Sequence, residues 1–363
     1  MAGSRSLKPR RLLILMLATI CLMHLNQVEA FVFRKISENG ATFALKGSFF
    51  LDQKRPAVRR RLVVRHLNRI LFEASEVQTA EDGMCHAIIP KDDKRAKHIH
   101  KILKLPSGGS IRAGVLDAGK EDNAVIEWAE ENPKTASDLL VRLGRAKEIL
   151  KPLDEDDRPH VSLLLALPRP LQLERILPVV AQLGVRRLVL TGARKVPKEY
   201  FGSHLFWPER AGELRGLLAD GLAQCGDTAV PTVAVAKRLK YFLEDDLDTT
   251  FPRDRYLRAL AHPDRPSGRP APRLSALPPP PGVVPAGAGE GEGAAKVLLA
   301  VGPEGGWDEP DELDLFAHHG FQCVSLGPRV LRSDVAVAAL LALAHDWRDR
   351  HRRLPTSSPS SPP

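Results

Sequence analysis

The residues best suited to hold a ligand sit in two glycine turns near the end of the chain. Gly302-Pro303-Glu304-Gly305-Gly306 follows the apolar run Val297–Val301, and Gly327-Pro328 follows the run Gln322–Leu326. Each run has the length and composition of a buried strand. Between them, Asp308 is placed to cap a helix with Pro310 in its first turn and Asp311 and Glu312 at its positive end. Leu313, Phe316 and Ala317 recur at helical spacing, and Gly320 is the stop. Arg329–Asp334 then leads into a last helix with an Ala/Leu/Val face. Strand, glycine loop and helix thus occur twice. Both loops leave the carboxyl ends of strands, where open parallel α/β sheets place ligands. Glycine there lets backbone N–H and C=O groups approach a ligand with no Cβ in the way. Each turn alone could be only a tight turn; the pair, followed by Leu331-Arg332-Ser333-Asp334, is more specific.

Gly302–Gly306 and Leu326–Ala336 closely resemble the two signatures of the RsmE family of knotted, SPOUT-class RNA methyltransferases, a GPEGG loop and an LGPR-[IV]-LR-x-[ED]-[TV]-A loop and helix. The resemblance runs from about Asn68 to Trp347 and is broken by one insertion. Leu222–Pro231 is similar to the family's E-Q-x-x-R-x-x-x-P segment, with Ala223 for Glu and Asp227 for Arg. Ala261-His262-Pro263 matches its strand-end segment beside the cofactor. The family methylates N3 of a uridine in small-subunit ribosomal RNA, acts as a homodimer, and places a PUA-like RNA-binding β-barrel before a trefoil-knotted parallel sheet. The resemblance therefore implies an α/β fold of that kind, S-adenosyl-L-methionine as cofactor, and small-subunit rRNA or the assembling small subunit as partner; the alternatives are an RNA-binding ribosome-assembly protein that does not methylate, motivated by the altered 224–228 loop and Asp334, and a methyltransferase of the same fold acting on transfer RNA.

It also assigns residues. Cofactor contacts are expected from Ala261, His262, Val301, Gly302, Pro303, Glu304, Gly305, Gly306, Leu326, Gly327, Leu331 and Arg332. Methyl transfer to uridine N3 removes the N3 proton and spreads charge onto O2 and O4. Arg332, with Arg329 second, is the candidate to stabilise that charge. Glu304 or Asp334 could accept the proton or hold Arg332 in place. The family usually carries Thr-Glu where this chain has Ser333-Asp334, so the carboxylate arm is one methylene shorter. His262, before Pro263, reads as structural more readily than as a base. No metal is required. The chain has neither a P-loop lysine nor a G-x-G-x-x-G fingerprint at these turns, which argues against nucleotide phosphate binding.

The remaining elements follow from periodicity. Val161–Leu167, Arg187–Leu190, Thr232–Ala236 and Tyr256–Ala261 read as strands, and Leu171–Leu183 and Pro208–Gln224 as helices. Alternating β and α elements predict a mostly parallel sheet covered by helices, a domain spanning 160–349. Upstream, Asn68–Phe72, Ile111–Leu116 and Asn123–Trp128 read as strands of a small β domain over 67–152. A short helix is expected through Lys104, and Glu130–Lys151 reads as polar and partly helical. In the resembled family the stretch around Ala96–Leu105 belongs to the RNA-binding domain. Lys91, Lys94, Arg95, Lys97, Lys101 and Lys104 are the candidate phosphate contacts, against the alternative of a solvated helix face. Pro152–Pro159 is the domain boundary. A Pro/Gly/Ala-rich run over about 264–295 and the tail 350–363 are expected to be disordered.

Charge is unevenly distributed. The formal net charge is +9, yet residues 1–66 hold thirteen Lys/Arg against three Asp/Glu, leaving forty basic and forty-one acidic residues in the body. Any affinity for RNA must come from local patches. Residues 1–30 resemble a secretory signal peptide: Arg5, Lys8, Arg10 and Arg11 precede the apolar run Leu12–Leu25. Residues 31–66 are basic and poor in acid, like a transit peptide. Together they resemble the bipartite leaders of plastid proteins, with a signal anchor or a mitochondrial leader as alternatives and no membrane partner expected once the leader is removed. Cys85, Cys225 and Cys323 are widely spaced, form no CxxC, and are expected to be small core residues.

Overall fold

The computed structural model describes residues 68–130, 136–263, 271–281 and 295–352. The leader, the tail 353–363 and the outer parts of the expected insertion, 264–270 and 282–294, lie outside the described residues.

Six strands form the first sheet: β1 (Ile70–Phe72), β2 (Val77–Thr79), β3 (Met84–Ile89), β4 (Ser110–Val115), β5 (Lys120–Trp128) and β6 (Leu139–Arg145), in the order β1-β4-β5-β6-β3-β2. All neighbours are antiparallel except β1 and β4. The alternation is of period two: in β3, Cys85, Ala87 and Ile89 are buried while Met84 and Ile88 are exposed. Leu139, Val141 and Leu143 of β6 complete the same core with Phe72, Ile111 and Ile126. The expectation of a partly helical 130–151 holds for one short helix and misses a strand. Leu139–Arg145 is a strand, and among the described residues of this stretch Ala146–Ile149 is the helix.

The second sheet is wholly parallel: β7 (Val161–Ala166), β8 (Val185–Thr191), β9 (Thr232–Ala236), β10 (Tyr256–Ala261), β11 (Lys296–Val301) and β12 (Gln322–Val324), in the order β12-β10-β11-β7-β8-β9. Every residue of β7 is buried, as expected where helices cover a parallel strand. The principal helices are α1 (Pro170–Gln182), α2 (Ala211–Cys225), α3 (Asp311–His318) and α4 (Ser333–Arg352). One detail of α3 differs from the sequence expectation, while Asp311 and Glu312 do lie in its first turn. The Asp308 side chain does not cap it but pairs with Arg194 at 3.2 Å, and Glu312 instead accepts the Asp308 N–H at 2.7 Å.

Residues 271–281 correct the picture of an uninterrupted disordered insertion. Leu274 and Leu277 are buried in the core of the parallel sheet, the Trp347 indole donates to the Leu277 carbonyl at 2.8 Å, and Arg273 donates to the Ser325 carbonyl at 3.1 Å. The cysteine expectation holds for Cys85 alone; Cys225 and Cys323 are exposed. Among the described residues no helix is long and apolar enough to cross a membrane.

The two sheets meet along a polar seam. Arg69 is buried, and it donates to Gly226 and Ala113 carbonyls at 3.0 and 2.5 Å and to Asp122 at 2.6 Å. Thr228 is buried against the Ala118 carbonyl at 2.7 Å, and Asp227 pairs with Lys120 at 2.5 Å. The departures of the 222–231 segment from the family pattern therefore fall in a latch between the sheets.

Candidate functional site

β10, β11 and β12 are neighbours and end at the same edge, so the segments that follow them converge. After β11 the chain makes a tight turn, with the Gly306 N–H on the Pro303 carbonyl at 2.8 Å and Gly306 at φ +68°. After β12 it turns at Gly327, whose φ of +116° is a conformation L side chains rarely adopt, and whose N–H is held by the Ser325 hydroxyl at 2.9 Å. Between these turns lies a cavity of about 640 Å³, within the usual range for a small-molecule site.

All twelve residues expected to contact a cofactor line this cavity: Ala261, His262, Val301 to Gly306, Leu326, Gly327, Leu331 and Arg332. Val324, Ala336 and Leu340 extend its apolar wall. Three lining residues carry a buried polar atom with no hydrogen-bond partner: His262 Nδ1, Trp307 Nε1 and Ser333 Oγ. Buried donors and acceptors are nearly always matched, so three unmatched groups on one cavity wall mark a surface built to meet something polar. The other ring nitrogen of His262 is engaged, with Nε2 at 2.6 Å from Glu309 Oε1. The His262 N–H also donates to the Val324 carbonyl at 3.1 Å, which holds the end of β10 to β12.

The charged candidates separate. Glu304 and Arg329 line the cavity. Arg332 lies at its mouth, 62% exposed, with its guanidinium on both oxygens of Asp334, Nε to Oδ1 at 2.7 Å and Nη2 to Oδ2 at 2.5 Å. Asp334 itself is not among the lining residues. The hydrogen bonds from Arg332 push its carboxyl down to about 2, and it also accepts the Val335 N–H at 2.9 Å. A group so weakly basic is a poor proton acceptor at neutral pH, so of its two expected roles the geometry favours holding Arg332.

Trp307 and Lys195, which also line the cavity, have no counterpart in the sequence reading. Trp307 is 1% exposed, stacks edge-on to Phe316 at 4.7 Å, and crowds Gly302, where a Cβ would stand 3.2 Å from its indole. Its position directly after the glycine run was the available signal. Lys195, on the segment after β8, donates to the Gly305 and Trp307 carbonyls at 3.1 and 3.2 Å and so clasps the loop. Nothing local in the sequence could have paired it with a turn more than a hundred residues away.

The candidate RNA contacts on the first sheet fare unevenly. Arg95 is corrected: its side chain is 19% exposed and is spent on Glu76 at 2.6 Å, Asp93 at 2.8 Å and the Leu71 carbonyl at 2.9 Å. Lys94 pairs with Asp220 of α2 at 2.8 Å, and Lys97 donates to the Asp92 carbonyl at 2.8 Å. Lys101 and Lys104 form no ion pair among the described residues. The cavity and these lysines do not share an element.

An all-parallel α/β sheet with a mostly apolar cavity between two glycine loops defines a protein that holds a small organic ligand at its strand ends. Residues 155–345, more than half the chain, match the family model described as an RNA methyltransferase domain. The ribosomal RNA small subunit methyltransferase E of Treponema pallidum is 29% identical over 305 residues, covering 82% of this chain and 98% of its own. The structure is similar to that of a ribosomal RNA small subunit methyltransferase E from Neisseria gonorrhoeae bound to S-adenosyl methionine. Its TM-score is 0.53 at 17% identity, over 77% of this chain and 98% of that one. It is also similar to a probable rRNA-methyltransferase from Porphyromonas gingivalis, with a TM-score of 0.52 at 19% identity over 78% and 100% of the two chains. The chain belongs to the RNA methyltransferases, and among them to the RsmE family of the SPOUT class.

Proposed function

We propose that the protein methylates N3 of a uridine in small-subunit ribosomal RNA, with S-adenosyl-L-methionine as methyl donor, in an organelle that is a plastid or, as alternative, a mitochondrion. The observation that carries this reading is the convergence of the 302–306 and 326–332 loops on one cavity with three unmatched polar atoms. The lining fits the donor: Val301, Leu326, Leu331 and Leu340 suit a purine face, and the loop backbones with Trp307, His262 and Ser333 supply polar partners for its edges. When bound, the donor supplies an electrophilic methyl group on a sulfonium. The protein's own part is to orient the uracil and to manage charge. Once the N3 proton is lost, the Arg332 guanidinium, held by Asp334, would meet the negative charge left on O2 and O4 until N3 takes the methyl group, whose bond to sulfur breaks to leave a neutral thioether. Glu304 at the cavity wall is the proton acceptor in this reading.

The fold reading is completed by a trefoil knot in the parallel-sheet domain and a PUA-like role for the first sheet, with Lys101 and Lys104 touching phosphates. A homodimer belongs to the same reading. The last helix spends Val337, Leu340, Leu341, Ala344 and Trp347 on its own core, which narrows the interface expected of it. Leu171, Val330, Val335 and Leu343 stay 70, 78, 48 and 37% exposed and are the proposed contact.

Titration calorimetry with S-adenosylmethionine tests the cofactor; no heat of binding to the folded protein would sink the reading. Arg332→Ala should keep that affinity within about tenfold while cutting turnover by on the order of a hundredfold, the usual cost of removing one charge-stabilising donor. Unchanged turnover would exclude Arg332. Mapping of modified bases in organellar ribosomal and transfer RNA from cells lacking the protein separates uridine N3 of rRNA from a target on tRNA.

A further inference from the structure

We infer that a second site, at the amino edge of the parallel sheet, binds phosphate groups of RNA. A cavity of about 600 Å³ opens there in the seam between the two sheets. Its charged lining is Arg158, Arg186, Arg187 and Arg215 against Asp117 and Glu155.

Two of the four guanidinium groups are already committed. Arg158 donates to Asp117 at 3.1 Å, and Arg215 forms a bidentate pair with Glu73 at 2.6 and 2.9 Å. These pairs staple the sheets together. Arg186 and Arg187 are different. Arg186 pairs through Nη2 with Glu155, a residue whose own side chain is 72% exposed at the rim, while its Nη1 is buried with no partner. Arg187 has no carboxylate partner among the described residues and lies with its guanidinium 5.8 Å from the Phe251 ring centre.

The backbone explains how both reach one cavity. Neighbouring residues of a strand point to opposite faces. Here the β7–β8 ladder slips: Val161 pairs with Val185 and Ser162 with Arg187, leaving Arg186 with no partner across it. Such an extra residue re-aims side chains, and both arginines line the same space. A buried guanidinium N–H left unmatched is costly, and a planar fork of donors is matched by the oxygens of a phosphate. Lys296 shows the same local excess of positive charge: burial and the nearby Arg186 hold its ammonium below its ordinary value. Strands of six residues put this site about 20 Å from the cofactor cavity, a span that a folded RNA substrate can bridge. The phosphate could also belong to a small free molecule, and the test separates the two sources. The inference rests on the RNA-substrate reading.

The experiment uses the full chain and a fluorescein-labelled RNA hairpin, with anisotropy read over a series of salt concentrations. Arg187→Gln should weaken binding about tenfold and lower the slope of log K against log salt by about one, while S-adenosylmethionine affinity by calorimetry stays unchanged. Arg187→Lys should recover part of the affinity. Inorganic phosphate should raise the melting temperature of the parent protein and not that of Arg187→Gln. Equal RNA affinity and slope in parent and Arg187→Gln would overturn the proposal. Phosphate protection with no change in RNA binding would overturn its assignment to RNA in favour of a small free phosphate. Loss of S-adenosylmethionine binding in the parent would strike the methyltransferase reading alone.

Discussion

At the scale of single residues, His160 and Asp334 are moved in the same direction by opposite causes. His160 is 8% exposed, and burial together with the charges of Arg348, Lys296 and Arg186 pushes its imidazole down to about 4. An unfolded histidine titrates near 6.5. Between those values the unfolded chain binds a proton that the folded one refuses, so stability falls as pH drops from about 6.5 to about 4 and levels off below. His160→Gln should flatten the melting temperature against pH over that window; parallel curves for the two proteins would refute the assignment. Asp334 is low because Arg332 hydrogen-bonds its charged form, so this pair persists until pH falls below about 4 and toward 2. Turnover should accordingly show no limb from Asp334 nearer neutrality. Of the site residues, the glycines and Arg332 were legible because turn chemistry and a short signature concentrate them. Trp307 and Lys195 were not, since their roles arise from packing between segments far apart in the chain.

Among the elements, those of the parallel sheet were legible and those of the first sheet were half hidden. Continuous apolar runs such as VSLLLA announce a strand covered on both faces. β2 has only three residues, and Met84 and Ile88 blur the alternation of β3. No period in the sequence reveals the crossing of α1 and α2 either, although a glycine permits it. A Cβ at Gly221 would stand 2.1 Å from the Pro178 carbonyl oxygen. Gly221→Ala must push the helices apart and should cost about 2–3 kcal/mol, read as a lowered midpoint in urea. Gly216 lies in the same helix with nothing within 4 Å of its Cβ position, and Gly216→Ala should stabilise by up to about 1 kcal/mol. Equal midpoints for the two variants would contradict the close crossing.

For the whole molecule, the near balance of forty basic and forty-one acidic residues after position 66 means that attraction to RNA is local and not a property of the body. The exposed apolar side chains Val330 and Val335 bear on assembly, because Arg332 and Asp334 lie between them in the chain. Light scattering should give twice the chain mass, and the double substitution Val335→Asp and Leu343→Asp should halve it; a parent protein of single mass would end the dimer reading. One feature also bears on how the protein is handled. Residues 271–281 splint Ser325, just ahead of the Gly327 turn, through the Pro272 carbonyl at 3.2 Å and the Arg273 guanidinium, and they anchor Trp347 near the end of α4. Anyone trimming the chain for crystal growth must splice on either side of that splint. A deletion through it would loosen one jaw of the candidate cleft while seeming to remove only filler.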